Sequence, residues 1–157
     1  MSLHIGITPK NLKKSAAILA TILSNEMTLY VKTRKFHWNI SGNSFMELHK
    51  LFEDQYRILE ANIDEVAERI SQLGEKTIGT MKEFVENSTL KESPNEYPSQ
   101  KQMLEELLGN HEQLTTEFRA YIPVFENENN DIGSADFITG LLQEHEKMAW
   151  ILRRYHA

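Results

Sequence analysis

Apolar residues recur along this chain at intervals of three and four, the spacing that gives an α-helix one oily face. Ile18, Ile22, Leu29 and Phe36 keep that period to about residue 37. Thr8-Pro9 reads as an N-cap followed by proline at the first helical position, where the missing N–H costs nothing. Ser41-Gly42-Asn43 breaks the pattern. A second stripe then runs through Leu48, Leu51, Phe52, Leu59, Ile63, Val66, Ile70 and Leu73. Ser44 with Glu47 has the spacing of a capping box at its start, and Gly74 stands where a helix C′ residue belongs.

Ser99 with Gln102 has capping-box spacing for a third long helix, which Pro123 should end or kink near Tyr121. Ser134 is expected to cap a fourth helix that runs to the end of the chain. About 25 residues separate helices two and three, long for an unstructured connection. Ile78, Met81, Phe84 and Val85 have helical spacing, so a short extra helix is expected there. There is no strand pattern and no internal repeat. Four long helices with one long crossover predict an all-α, ferritin-like four-helix bundle, with residues 1–157 as a single domain.

The 157 residues carry 17 basic and 23 acidic side chains and a formal net charge of −6. That balance favours cations as partners over phosphate backbones. There is no cysteine, so a metal site must be built from His, Asp and Glu. No apolar run approaches the roughly 20 residues that span a bilayer. The first residues lack the apolar core of a signal peptide, so a cytoplasmic location is expected.

The second helix carries the candidate chemistry. With Leu48 at zero on a helical wheel, Leu59, Val66 and Ile70 lie within about 40°. His49, Glu53, Asp64 and Glu68 fall at about 100°, 140°, 160° and 200°, on a face turned from the core. A solvated polar face is the plain reading of such residues. Glu53 and Asp64 lie about 16 Å apart along the axis, so one chain cannot bring them to one ion. Their positions are symmetric, however. His49 and Glu68 are equidistant from the midpoint between Ile58 and Leu59, as are Glu53 and Asp64. Two copies crossed antiparallel about that midpoint would set His49 against the second copy's Glu68, and Glu53 against its Asp64, each pairing occurring twice. His37, at the end of helix one, would add another imidazole. Such a mixed nitrogen and carboxylate set suits iron, a similar divalent transition metal, or zinc.

The run Lys32-x-Arg34-x-x-His37-Trp38-Asn39-Ile40-x-Gly42-x-x-Phe45-x-x-Leu48-His49-x-x-Phe52, continuing to Asp64-x-x-x-Glu68-Arg69-Ile70, resembles the signature of the Dps family of mini-ferritins. The resemblance covers nearly the whole chain. It implies a four-helix bundle assembled as a hollow dodecamer, oxidation of Fe(II), usually with hydrogen peroxide, and ferric mineral stored inside. It assigns the ferroxidase metal ligands as His37, His49 and Glu53 from one subunit and Asp64 and Glu68 from another. Glu53 departs from the aspartate that many members carry. Trp38 reads either as a carrier of oxidising equivalents or as interface packing. The family's acidic pores correspond to the region of Asp131, Asp136, Glu144 and Glu146, where acids at a helix start are also ordinary dipole partners.

Two alternatives separate on sequence features. A di-iron centre within one chain needs Glu-x-x-His, and none of the six histidines has Glu three residues before it. A DNA-compacting structural protein would rely on a basic tail, and Lys10, Lys13 and Lys14 read as a solvated face. No stable DNA binding is therefore expected. His4 and His156 are expected in solvent, and His111 and His145 in surface or packing roles.

Overall fold

A computed structural model describes residues 3–156, without the side chain of His156; the expectation for that side chain lies outside the described residues. The chain is helical: α1 (Pro9–Asn39), α2 (Phe45–Gln72), α3 (Met81–Asn87), α4 (Gln100–Pro123) and α5 (Ile132–Arg153). Among the described residues there is no strand, and no helix is long and apolar enough to cross a membrane.

The long helices form the bundle and α3 is the short helix of the crossover. At one end, the Gln100 side chain donates to the carbonyls of Ser41 and Asn43, so α4 begins beside the α1–α2 turn. The Asn11 side chain reaches the Glu128 carbonyl at the other end. The segment between α2 and α4 therefore returns along the whole bundle. Asn25 anchors it, accepting from the Thr89 backbone at 2.7 Å and from the Ser88 hydroxyl at 2.9 Å. Phe52, Leu59, Val66, Leu107, Leu114, Phe118 and Ile138 are fully enclosed in one core. Each contributes on the order of 1.5–3 kcal/mol by leaving water.

Most helix ends obey their residues. The Thr8 side chain accepts from the Asn11 amide with Pro9 behind it. Ser99 and Gln102 make both halves of a capping box, as do Thr80 and Glu83 at α3, a box the apolar spacing alone does not reveal. Gly74, at φ +80°, closes α2 in a Schellman motif: its amide bonds the Ser71 carbonyl, and the Glu75 amide reaches that of Ile70.

Two ends differ from expectation. Ser44 is left-handed, at φ +62°, and makes no capping bond; Glu47 instead accepts a 2.6 Å bond from the Tyr155 hydroxyl. Burial, aided by that carboxylate, pushes the Tyr155 phenol up to about 12. At α5 the cap is Asp131, not Ser134: its carboxylate takes the Ser134 amide, while the Ser134 hydroxyl accepts from Arg69. The charged acceptor placed outside the helix wins over the hydroxyl one turn later. α4 ends at Pro123, as expected, and the chain continues through a π-helical turn, Val124–Glu128, that buries Phe125.

Candidate metal-binding face

The site begins at the α1–α2 turn. The His37 and His49 rings stack at 3.7 Å between centroids, 20° from parallel. His37 Nδ1 lies 2.8 Å from the His49 carbonyl oxygen, and His49 Nδ1 lies 2.9 Å from that of His37. A carbonyl can only accept, so each Nδ1 carries the proton. Each Nε2 is left as a lone-pair donor. Imidazoles that bind metals are held this way, with one ring N–H on an oxygen and the other nitrogen outward.

Glu53 stands one turn beyond His49 on α2. Arg57 grips it: Nε and Nη2 both donate to Oε1, at 2.9 and 2.6 Å, leaving Oε2 outside the pair. The Arg57 bond, aided by positive neighbours, holds the Glu53 carboxyl below its ordinary range. Asp64 and Glu68 lie farther along the same helix and are exposed. Within one chain they do not join the histidines. Among the described residues, no three His, Asp or Glu side chains converge on a cation position. In the monomer, His49 and Glu53 lie toward the start of α2, and Asp64 and Glu68 lie farther along the same helix. Trp38 and Ile58 are exposed beside them, 65% and 38% accessible.

An aromatic cluster backs the histidines. The Tyr56 ring stands edge-on to His37 at 5.3 Å, and Tyr30 is edge-on to Tyr56 at 6.1 Å. The Arg34 guanidinium lies over Tyr56, Tyr30 and Trp38, at 4.7, 5.4 and 5.4 Å. None of Tyr30, Arg34 or Tyr56 stands out as a functional residue in the sequence, although Tyr30 and Arg34 share a helix face with His37 by spacing.

The acids of the expected pore divide. Asp131 is buried, pairing with Arg69 at 3.1 Å while it caps α5, so it faces the protein and not a channel. Glu146 is paired with Arg119. Asp136 and Glu144 line an open depression on α5 with Glu65 and Lys147.

The other histidine pair is neither on the surface nor near this face. His111 and His145 are fully buried between α4 and α5, with their Nδ1 atoms 2.9 Å apart. His145 Nε2 lies 2.7 Å from the buried Glu26 carboxylate of α1. Of the two roles open to them, packing is the one adopted. The sequence signal is present: Glu26, His111 and His145 each occupy a core position on their helix, between residues such as Ile22 and Leu29, Leu107 and Leu114, Leu141 and Met148.

Known proteins converge on one reading of this architecture. The family model described as "Ferritin-like domain" matches residues 16–157. A low temperature-induced protein of Nostoc is 40% identical over 153 residues, covering 98% of this chain and 86% of that protein. DNA protection during starvation protein 2 of Bacillus anthracis is 32% identical over 143 residues, covering 91% and 97%. The crystal structure of the Dps protein of Vibrio cholerae O1, described as a member of a broad superfamily of ferritin-like diiron-carboxylate proteins, superposes with a TM-score of 0.91 at 28% identity, covering 100% of this chain and 98% of that one. With the bundle, the crossover helix and the paired histidines in place, this chain belongs to the ferritin-like domain family and, within it, to the Dps proteins.

Proposed function

We propose that this protein is a ferroxidase and iron store whose Fe(II) sites form between two subunits of a hollow shell, a dodecamer as the family resemblance implies. The observation that carries the reading is the His37–His49 pair, whose reciprocal bonds to backbone carbonyls leave both Nε2 atoms for a cation. Fe(II) and hydrogen peroxide are the substrates. His37 and His49 supply neutral nitrogen, and Glu53 with the second subunit's Asp64 and Glu68 supplies negative charge. Three carboxylates favour the trivalent product over Fe(II) by simple electrostatics. Two ferrous ions give one electron each, the O–O bond breaks to two hydroxides, and no hydroxyl radical is released. Ferric oxide-hydroxide then grows inside the shell, protecting the cell from iron and peroxide together.

The fit of residues to cation rests on the donor set. Before a cation arrives, Arg57 neutralises Glu53, and Fe(II) must displace it. The extra methylene of Glu53, relative to aspartate, lengthens the reach of that carboxylate from α2 and lets it serve either partner. Trp38, exposed beside the dyad face, packs against the second subunit or carries oxidising equivalents from the site. Asp136 and Glu144 are the acids best placed to draw Fe(II) inward. With a net charge of −6, the protein has little attraction for duplex DNA at physiological salt.

Complementation tests the shared site. One variant lacks the imidazoles (His37→Ala with His49→Ala) and another lacks the far acids (Asp64→Ala with Glu68→Ala). Each alone loses rapid Fe(II) oxidation. Reassembled together in equal amounts, random pairing makes about half the dimers mixed, and a mixed dimer has one intact site in two. Recovery of about a quarter of the wild-type rate is expected. No recovery, with mixed dimers verified by mass spectrometry, overturns the two-chain site.

A further inference from the structure

Arg57 has more hydrogen-bonding capacity than its partner uses. Nε and Nη2 both donate to a single oxygen, Glu53 Oε1, at 2.9 and 2.6 Å. A guanidinium carries five N–H donors in a rigid fork; with two engaged on Glu53, three are left over. A carboxylate matched to that fork takes its two bonds on two oxygens. Here they close on one oxygen, and the remaining donors stand clear of the helix. The Arg57 side chain is 61% accessible, so its charge is not spent on holding the subunit's fold.

Its position on α2 gives that spare capacity a direction. On the wheel that sets Leu48 at zero, Arg57 falls at about 180°, between Asp64 at about 160° and Glu68 at about 200°. It therefore lies on the face of the proposed ligands. The other base on this face is Lys50, at about 200°, and it is engaged with Asp54 at 2.5 Å. In the antiparallel pairing of two copies, Glu53 meets the second subunit's Asp64. Whatever grips Glu53 is then held against that aspartate. An empty site of this kind brings three carboxylates together and offers them only neutral imidazoles. Like charges repel at such separations, and enclosing them between subunits makes the repulsion stronger. A positive charge has to stand there before iron does, and Arg57 already reaches the place.

We propose that Arg57 is the resident counter-ion of the empty two-chain site: in the iron-free dimer it keeps Glu53 and gives its open donors to the second subunit's Asp64, until a metal ion replaces it. The inference rests on the ferroxidase reading above. Fe(II) brings two positive charges and takes both carboxylates. Arg57 then turns to Glu60, an exposed acid three residues along the same helix, the spacing at which helical neighbours meet. No charge is stranded in either state. Subunits thus pair before iron arrives, and loading exchanges one cation for another without opening the interface. The arginine also discriminates. A monovalent cation offers the two carboxylates no more charge than the guanidinium does, whereas a divalent one does.

The test uses the full-length protein, stripped of metal by a chelator. Subunit association is followed on dilution by sedimentation and native mass spectrometry. Arg57→Ala is expected to raise severalfold the concentration at which iron-free subunits separate, with helical circular dichroism unchanged. Zn(II), which takes the same ligand types and has no redox chemistry, restores association to that of wild type. In an Asp64→Asn background, where the repelling acid is gone, Arg57→Ala no longer weakens iron-free association. Glu60→Gln leaves iron-free association as it is and weakens Zn(II) binding severalfold. Undiminished association of iron-free Arg57→Ala overturns the inference. So does a loss that Zn(II) does not restore, or one of the same size in the Asp64→Asn background. Unchanged Zn(II) affinity in Glu60→Gln overturns the exchange of partners. None of these readouts requires turnover. Failure of Fe(II)-loaded wild type to react with peroxide, while the association changes hold, overturns the ferroxidase reading and not the counter-ion.

Discussion

Two pairs of histidines join helices in this molecule, and they are satisfied in opposite ways. His37 and His49 turn their protonated nitrogens onto each other's backbone carbonyls, which leaves Nε2 as the lone-pair nitrogen of each ring. His111 and His145 turn nitrogens onto each other, and His145 then turns onto Glu26, deep between three helices. The first pair uses the fold to stay available; the second uses its polar atoms to hold the fold together. Residue type alone therefore does not separate a proposed ligand from a packing group. The deciding quantity is where the second nitrogen of each ring points, and for three of these four rings a neighbouring oxygen from backbone or carboxylate fixes the orientation.

The comparison can be broken most forcefully at Glu26. Glu26→Ala strips the buried imidazoles of their carboxylate and opens a cavity, so it is expected to cost about 3–5 kcal/mol in denaturant unfolding. Iron oxidation by whatever protein remains folded should persist. His37→Ala with His49→Ala is the mirror experiment. Peroxide-driven oxidation in stopped flow should fall by about a hundredfold or more, the upper end of what losing even a supporting partner of a metal ligand costs. Stability should change by only about 1 kcal/mol. If the Glu26 variant is stable and inactive, or the double variant unfolds, the division of labour between the pairs is wrong.

A third prediction concerns acid. Burial, aided by the neighbouring His145, holds His111 well below its ordinary range. The unfolded chain therefore binds a proton at His111 near pH 6.5 that the folded chain refuses. The stability belonging to His111 is complete above about pH 6.5 and is lost as pH falls below it, at up to about 1.4 kcal/mol per unit. Unfolding free energies of wild type and His111→Asn, measured between pH 7 and 5, should converge toward the acid side. A constant difference between them would mean that His111 titrates normally.

The smallest expected effect lies at Arg57. Exposed ion pairs on a helix contribute little, so Arg57→Ala should leave stability almost unchanged. It should tighten Fe(II) binding a few-fold in anaerobic titration, because Glu53 no longer has a competing partner. Weaker binding would mean that Arg57 serves the site in a role other than placeholder.

The bundle is legible in the sequence because its helices are amphipathic and its breaks are chemical: Ser41-Gly42-Asn43, Gly74 and Pro98-Ser99 fall where elements change. The ligand candidates on α2 are legible because an α-helix converts spacing into direction. The cap expected at Ser44 fails because spacing does not report φ: the residue is left-handed, and its side chain makes no capping bond. Spacing favours Ser134 over Asp131 because the competing claim on the Ser134 hydroxyl comes from Arg69, 65 residues away. Glu26, His111 and His145 are each odd on their own helix, yet only the packing of three helices makes one group of them. The aromatic cluster is hidden for the same reason, since Tyr56 approaches Tyr30 and His37 only once α1 and α2 are folded together.

The hairpin of α1 and α2 has a kinetic consequence. His37 and His49 are only 12 residues apart, and a loop of that length closes at small entropic cost and within roughly 10–100 ns. Their mutual bonds to backbone carbonyls stabilise that closure at once, without any distant contact. The turn is thus suited to form early on the folding route, before the crossover brings α4 alongside. A chain emerging from synthesis would have its two imidazoles already locked at the tip of a helical hairpin while half of the bundle was still missing. The slower, long-range steps that complete the core and bring subunits together would then act on a local unit whose ring orientations were already set.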